Sequence, residues 1–121
     1  MEKWEVELYE SPRGSKPVEE FLDSLEKAAR DKVYASVELL KEFGVKLSFP
    51  HVKKLRGSLL WELRILGGSS VRMFYIAIKA RRLLILHGFL KKTQKTPGKE
   101  IETAEKRLGE SYSDRTFATI W

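Results

Sequence analysis

The hydrophobic and polar positions of the first fifty residues predict one strand followed by two helices. Residues 3–9 alternate strictly between apolar and polar side chains, which is the period of a strand with one buried face. Pro17 suits the first turn of a helix, and apolar residues recur after it at helical spacing. A second helix is predicted from about Asp31, as its N-cap, to Phe43, with Gly44 as its C-terminal stop.

The second half of the chain begins with β-forming runs. Three such runs cover Leu59–Leu66, Val71–Lys79 and Leu83–Leu90, and only short dividers separate them. Short dividers favour hairpins, so we expect the three runs to form an antiparallel meander. Thr96 and Pro97 then provide an N-cap and a first-turn proline for a last helix.

The predicted order of elements is β-α-α-β-β-β-α. This order indicates an α+β fold with a mainly antiparallel, twisted sheet and helices packed on one face. A chain of 121 residues, 42% hydrophobic and 33% charged, suits a single domain that spans 1–121. The tail from about 110 to 121 has no clear period, and no element is predicted there.

Composition excludes several classes of protein. The chain has no cysteine, which removes disulfides, thiol catalysis and cysteine-based zinc sites. It lacks any apolar run near the ~20 residues of a membrane span, and its N-terminus is acidic where a signal peptide would be apolar. His51 and His87 alone do not suffice for a transition-metal site. We therefore expect a cytoplasmic protein without a metal or cofactor.

The positive charge is concentrated in one segment. Residues 53–99 hold twelve lysines and arginines against one acid, Glu62, whereas residues 1–52 hold eight basic and eleven acidic residues. The net charge of +6 is thus the sum of one strongly basic segment and two mildly acidic segments that flank it. A positive field confined in this way is typical of a surface that binds a polyanion, with nucleic acid as the first candidate.

The alternation of side chains along strands predicts which of these charges meet. Arg64 and Arg72 flank the Gly67–Gly68 divider, so we expect them to be near neighbours on paired strands, with Glu62 on the same open face. The segment 53–56 adds three cations beside the same strand. A structural ion pair between Glu62 and these arginines is the alternative interpretation.

Crowded cations of this kind suit metal-independent cleavage of RNA. Like charges lower the pKa of a neighbouring lysine, so that it can act as a base, while arginine stays charged. A base takes the 2′ proton, guanidinium groups stabilise the transition state and an acid protonates the leaving 5′ oxygen. The alternative is a solvated surface, which fits Lys95 and the turn at 79–82, while His87 and Phe89 also suit core positions.

Several motifs resemble one family. Lys-Leu-Arg-Gly at 54–57, Trp-Glu-Leu-Arg at 61–64 and Val-Arg-Met-Phe-Tyr at 71–75 resemble the core of the RelE/HigB toxins. The run Leu-His-Gly-Phe-Leu-Lys-Lys-Thr-Gln-Lys-Thr-Pro at 86–97 resembles the phage-derived HigB-like branch. The resemblance implies a compact RelE-like fold and the toxin of a type II toxin–antitoxin system, an endoribonuclease that cuts mRNA on the ribosome without a cofactor. It also implies a helix-turn-helix, HigA-like antitoxin, and contact with DNA only through the complex with that antitoxin.

The same resemblance implies roles for individual residues. The catalytic group falls on Lys53, Lys54, Arg64, Arg72 and Lys92, with both arginines on the scissile phosphate and base and acid not distinguished. The RNA contacts fall on Arg56, His87, Phe89, Lys91 and Lys95. Some members use a tyrosine near the C-terminus where this chain has Thr-Pro-Gly at 96–98, so base stacking would pass to Phe89, His87 or Tyr112.

Two other functions stay open at this point. The basic face could dock on RNA through salt-sensitive phosphate contacts without any chemistry. A ParE-like inhibitor of DNA gyrase is the third interpretation, but such an inhibitor needs no phosphate-binding group like Arg64 and Arg72. A test for turnover separates the first two.

Overall fold

The computed structural model describes residues 3–67, 70–79 and 81–113, except for the side chains of 112 and 113. Within these residues the chain forms five strands, three helices and one 3₁₀ turn. In chain order they are β1 (Glu5–Leu8), α1 (Pro17–Ser24), α2 (Lys27–Phe43), the 3₁₀ turn Gly44–Lys46, β2 (Val52–Lys54), β3 (Trp61–Arg64), β4 (Val71–Ile78), β5 (Arg82–Leu90) and α3 (Gly98–Ser113). The predicted order is confirmed, and β2 is an additional strand that is too short to show a period.

Helix α2 begins earlier than the sequence predicted and ends where it predicted. It starts at Lys27, so Asp31 is not its cap but lies one turn inside, 2.8 Å from the Lys27 ammonium. The early start follows from residues 27–30, which are mostly strong helix formers. Gly44 ends the helix at a φ of 56°, a conformation that favours glycine. A Cβ at this position would overlap the indole of Trp4, so the glycine also lets the chain before β1 approach α2 closely.

All five strands belong to one sheet, in the order β1-β5-β4-β3-β2. The meander β3-β4-β5 is antiparallel as predicted, and β1 joins its outer edge parallel to β5. Phe74 pairs with His87 and Tyr75 pairs with Ile85, which leaves Leu86 as the extra residue of a bulge in β5. The bulge lies at the point where α3 contacts the sheet, because Arg107 of α3 donates to the Leu86 carbonyl at 3.0 Å.

Helices cover both faces of the sheet, not one face as the sequence predicted. Gly88 of β5 lies under α1, since a Cβ there would come 2.7 Å from the Phe21 ring. The preceding residue, His87, points to the opposite face and contacts Glu100 and Arg107 of α3. We call this side of the sheet the α3 face. The prediction failed because strand alternation sorts residues into two faces but does not say which face a later helix covers.

Cross-strand register decides which residues share the α3 face, because directly paired residues point the same way. One row across the sheet is Lys53, Glu62, Phe74 and His87, and the next is Arg64, Arg72 and Phe89. Lys53 of β2, Arg64 of β3 and Arg72 of β4 therefore lie beside an aromatic group on the α3 face.

The last helix extends further than the sequence indicated. α3 continues past Gly109 to Ser113, and Ala104 and Leu108 are its buried contacts with the core. The rest of the unassigned tail, 114–121, lies outside the described residues. None of the helices in the described part of the chain is long and apolar enough to cross a membrane.

Candidate nucleic-acid interface

Arg64 and Arg72 stand directly opposite each other on β3 and β4. The Arg64 N–H points away from β4 and donates to the His51 carbonyl at 2.8 Å, while the Ile65 N–H donates to Val71 on β4 at 3.3 Å. The two arginines therefore form a non-hydrogen-bonded pair, in which the Cβ atoms of opposite residues are about 4.5–5.5 Å apart. The register therefore makes Arg64 and Arg72 direct neighbours on paired strands, as the sequence predicted.

Neither guanidinium is neutralised by a carboxylate within the described residues. Arg64 lies with its guanidinium carbon 5.5 Å from the centroid of the Phe49 ring. Arg72 donates to the carbonyl of Val71 at 2.9 Å, and its Nε is buried without a hydrogen-bond partner. Two like charges placed side by side repel each other, so this pair is costly until an anion binds between them.

Glu62 is the one buried charged residue of the described core, with only 3% of its surface exposed. Its Oε2 is buried without a hydrogen-bond partner, and no ion pair joins it to Arg64 or Arg72 in the part of the chain described. The structural ion pair considered in the sequence analysis therefore does not form in this state. Glu62 lies one row from both arginines and opposite Lys53, so its carboxyl group is at the edge of the cationic group.

Lys53 and Lys54 lie on opposite faces of the sheet. Lys53 is exposed and pairs with Glu62 on the α3 face, whereas Lys54 pairs with Trp61 on the other face. The Lys54 ammonium donates to the carbonyl of Ser58 in the turn before β3. The sequence analysis grouped both lysines with the arginines, but consecutive strand residues cannot share a face, and only Lys53 is on the arginine side.

The remaining cations lie in turns at the ends of strands. Arg56 is exposed in the turn between β2 and β3. Lys91 is half-buried, and its N–H donates to the Ser70 carbonyl at 2.7 Å, which brings it beside the start of β4 two residues from Arg72. Lys92 and Lys95 are exposed in the loop between β5 and α3. Among the described residues, Lys92 has no hydrogen bond or ion pair, so its ammonium is free to contact a ligand.

His87 and Phe89 are packed rather than presented to a ligand. The His87 Nε2 lies 2.8 Å from Glu100 and its Nδ1 lies 3.2 Å from Arg107. Burial, and to a smaller extent the charge of Arg107, lowers the pKa of His87 below its ordinary value, although Glu100 opposes the shift. Phe89 is 5% exposed and stacks on His87 with ring centroids 5.5 Å apart. Both residues fit the core interpretation, and the Tyr112 side chain lies outside the described residues.

Comparison with known families identifies the chain. The family model of phage-derived Gp49-like proteins (DUF891) matches residues 20–109, which is most of the sequence. The chain belongs to this Gp49-like family. The family is a RelE/HigB-like family of type II toxins, so the resemblance stated from the motifs is confirmed. The matched residues of this Gp49-like chain include all ten candidate site residues and most of α3.

The fold of the Gp49-like chain has a solved counterpart. It resembles RelE in the crystal structure of an archaeal RelE–RelB complex from Pyrococcus horikoshii OT3, with a TM-score of 0.56 and 22% sequence identity. The match covers 74% of this chain and 96% of that chain. The predicted RelE-like α+β fold is therefore confirmed. No curated protein sequence matches the chain significantly.

The sequence analysis of this Gp49-like chain missed Phe49. Its ring is 72% exposed and contacts the Arg64 guanidinium, although it lies outside every periodic run of the sequence. The segment Ser-Phe-Pro-His at 48–51 leads into β2, which was itself too short to predict. An aromatic residue isolated in a loop just before a basic segment was the available signal.

Proposed function

We propose that this protein is the toxin of a type II toxin–antitoxin system and that it cleaves mRNA on the translating ribosome. Membership of a RelE/HigB-like toxin family supports the general role. The paired, uncompensated guanidinium groups of Arg64 and Arg72 are the observation that carries the reaction. A phosphodiester, with its single negative charge and two free oxygens, matches two adjacent guanidinium groups.

The proposed reaction is attack by the ribose 2′ oxygen on the neighbouring phosphorus. The bond from phosphorus to the 5′ oxygen breaks, which leaves a 2′,3′-cyclic phosphate and a 5′ hydroxyl. Arg64 and Arg72 stabilise the extra negative charge of the pentacoordinate transition state. Lys53 is the candidate to receive the 2′ proton, and Lys92 is the candidate to protonate the 5′ oxygen, with Lys91 as a phosphate contact.

An antitoxin is the proposed protein partner. The solved RelE counterpart was crystallised in a complex with RelB. The phage-derived branch that the motifs resemble implies a helix-turn-helix, HigA-like antitoxin for this chain. An antitoxin of either type would silence the toxin by covering the arginine pair or by moving α3, which contacts the same face of the sheet through Glu100 and Arg107.

Primer extension on a defined mRNA tests the proposal. We expect discrete cuts when the purified chain is added to translating ribosomes, and none or far fewer on the same mRNA without ribosomes. A 2′-deoxy substitution on the 5′ side of a mapped cut should abolish that cut, because the nucleophile is then absent. Ribosome binding without any cut would favour the non-catalytic RNA-binding module, and a block of DNA supercoiling instead would favour a gyrase inhibitor.

A further inference from the structure

Phe49 is the most exposed large apolar side chain of the described residues, at 72%. Exposure alone says little, because scattered apolar side chains are normal on protein surfaces. Leu59 is almost as exposed, at 70%, but it has no aromatic ring on which a cation could pack. Phe49 differs because the Arg64 guanidinium lies over its ring, 5.5 Å from the centroid.

The backbone fixes this ring beside the arginine pair. His51, two residues after Phe49, accepts the N–H of Arg64 at 2.8 Å, so the loop before β2 is tied to the strand that carries Arg64. The His51 N–H in turn donates to the Ser48 carbonyl at 3.0 Å, which closes the turn that contains Phe49. The ring therefore sits next to the site where a phosphate would bind.

We propose that Phe49 is the platform on which a nucleobase of the RNA stacks, next to the phosphate held by Arg64 and Arg72. This proposal rests on the function proposed above and adds a residue that recognises the substrate. A base stacks on a phenyl ring regardless of its identity, since every base has a π face. Arg64 would then contact the phosphate with its N–H groups while its plane stays packed against the same ring.

The other aromatic side chains near the arginine pair do not offer such a platform. Phe74 and Phe89 are buried, and the His87 ring holds Glu100 and Arg107 with its two nitrogens. Trp61 is partly exposed, but its register places it on the face opposite Arg64. Among the described aromatic residues, Phe49 combines exposure with contact to the phosphate-binding group.

Equilibrium binding of single-stranded RNA tests the proposal directly. The probe is a mixed-sequence 12-mer with 2′-O-methyl riboses, which cannot be cut, and the same measurement is repeated on ribosomes programmed with a 2′-O-methyl codon. We expect Phe49→Ala to weaken binding roughly 5- to 150-fold, the effect of losing one base stack of about 1–3 kcal/mol. Phe49→Trp should bind like the wild type, and Phe49→Leu should behave like Phe49→Ala because it keeps apolar bulk but has no ring.

Salt dependence separates stacking from charge. Phe49→Ala should leave the slope of log affinity against log salt unchanged, because no counterion is released by a phenyl ring. Arg64→Ala should reduce that slope by about 0.7, the contribution of one phosphate contact on a single strand. Leu59→Ala, a matched exposed apolar residue in another loop, should change neither affinity nor slope. Thermal unfolding of all variants checks that the fold is kept.

The outcomes distinguish this proposal from the function on which it rests. If the wild type binds and cuts RNA and Phe49→Ala does so equally well, Phe49 is not a platform and the proposed function stands. If Phe49→Ala impairs only the binding of an antitoxin, the ring belongs to a protein interface and the proposal is overturned. If the wild type neither binds nor cuts RNA in any format, both proposals fail together.

Discussion

Arg107 of α3 donates to Nδ1 of His87 on β5, across a distance of 3.2 Å. Nδ1 must then be unprotonated, so the ring is in the tautomer that carries its proton on Nε2 and donates it to Glu100, 2.8 Å away. The same Arg107 lies over the Tyr9 ring, 5.3 Å from its centroid. A neutral histidine at the centre of these contacts thus links α3 to the sheet.

Stability should fall when the pH drops below about 6.5. Burial lowers the pKa of His87 in the folded state, whereas the unfolded chain keeps the ordinary value of 6.5. Above that pH both states are neutral and the contribution to stability is complete. As the pH falls through 6.5 and then through the lower folded pKa, the unfolded state takes up the proton first and the fold loses stability. Urea unfolding at a series of pH values from 7.5 to 5 measures this loss.

Two variants serve as controls for this pH effect. His87→Gln should flatten the dependence between pH 7.5 and 5, because the titrating group is removed. His51→Gln should preserve it, since the pKa of His87 is untouched. A wild-type stability that stays constant or rises over this range would contradict the neutral His87 link to α3.

Gly44→Ala should be strongly destabilising. Gly44 adopts a φ of 56°, and its Cβ would meet the Trp4 indole. Gly14→Ala is the matched control, because Gly14 also has a positive φ, 90°, but nothing within 4 Å of its Cβ. The difference in the free energy of unfolding between the two variants should be about 1–3 kcal/mol, the usual cost of overpacking. Equal losses in chemical denaturation would mean that only backbone strain acts at Gly44.

Local periodicity was sufficient to predict most of the fold. The alternation before residue 10, the proline at the start of α1 and the short dividers of the meander each determine an element locally, and those elements formed. Strand β2 was missed because three residues show no period. The prediction that the helices cover one face was wrong, because the position of α3 depends on tertiary contacts such as that between His87 and Glu100. The periodicity of a sequence contains no information on such contacts.

Only the part of the candidate site that lies on recognised strands could be predicted, from the alternation of side chains along each strand. Arg64 and Arg72 flank a hairpin divider, so their register follows from the turn, and they are direct neighbours. Lys54 was grouped with them because β2 was not recognised, and without a strand no alternation could separate it from Lys53. Phe49 was missed because a loop residue far from Arg64 in sequence meets it only through the folded chain.

Lys53 and Lys54 should respond oppositely to substitution. Lys53→Ala should slow RNA cleavage with little change in stability, because its side chain is exposed on the arginine side. Lys54→Ala should leave cleavage largely intact and lower the free energy of unfolding by about 0.5–1.5 kcal/mol, since it removes the hydrogen bond to the Ser58 carbonyl. Single-turnover cleavage and urea denaturation of both variants measure the two effects. A Lys54 variant that is stable but inactive would return Lys54 to the catalytic group.

Arg64→Ala and Arg72→Ala should each abolish toxicity without unfolding the protein. Loss of one preorganised donor to the transition state typically reduces the rate about 10²–10³-fold, or roughly 2.7–4 kcal/mol. The fold should survive, because each substitution also removes the repulsion between two like charges. The control is Arg13→Ala, which should stay toxic. Arg13 is exposed in the loop between β1 and α1, and β1 is at the edge of the sheet opposite β2. Growth arrest on induction and primer extension with purified variants measure the effect. Full toxicity of both Arg64→Ala and Arg72→Ala would contradict the proposal that the pair binds the phosphate.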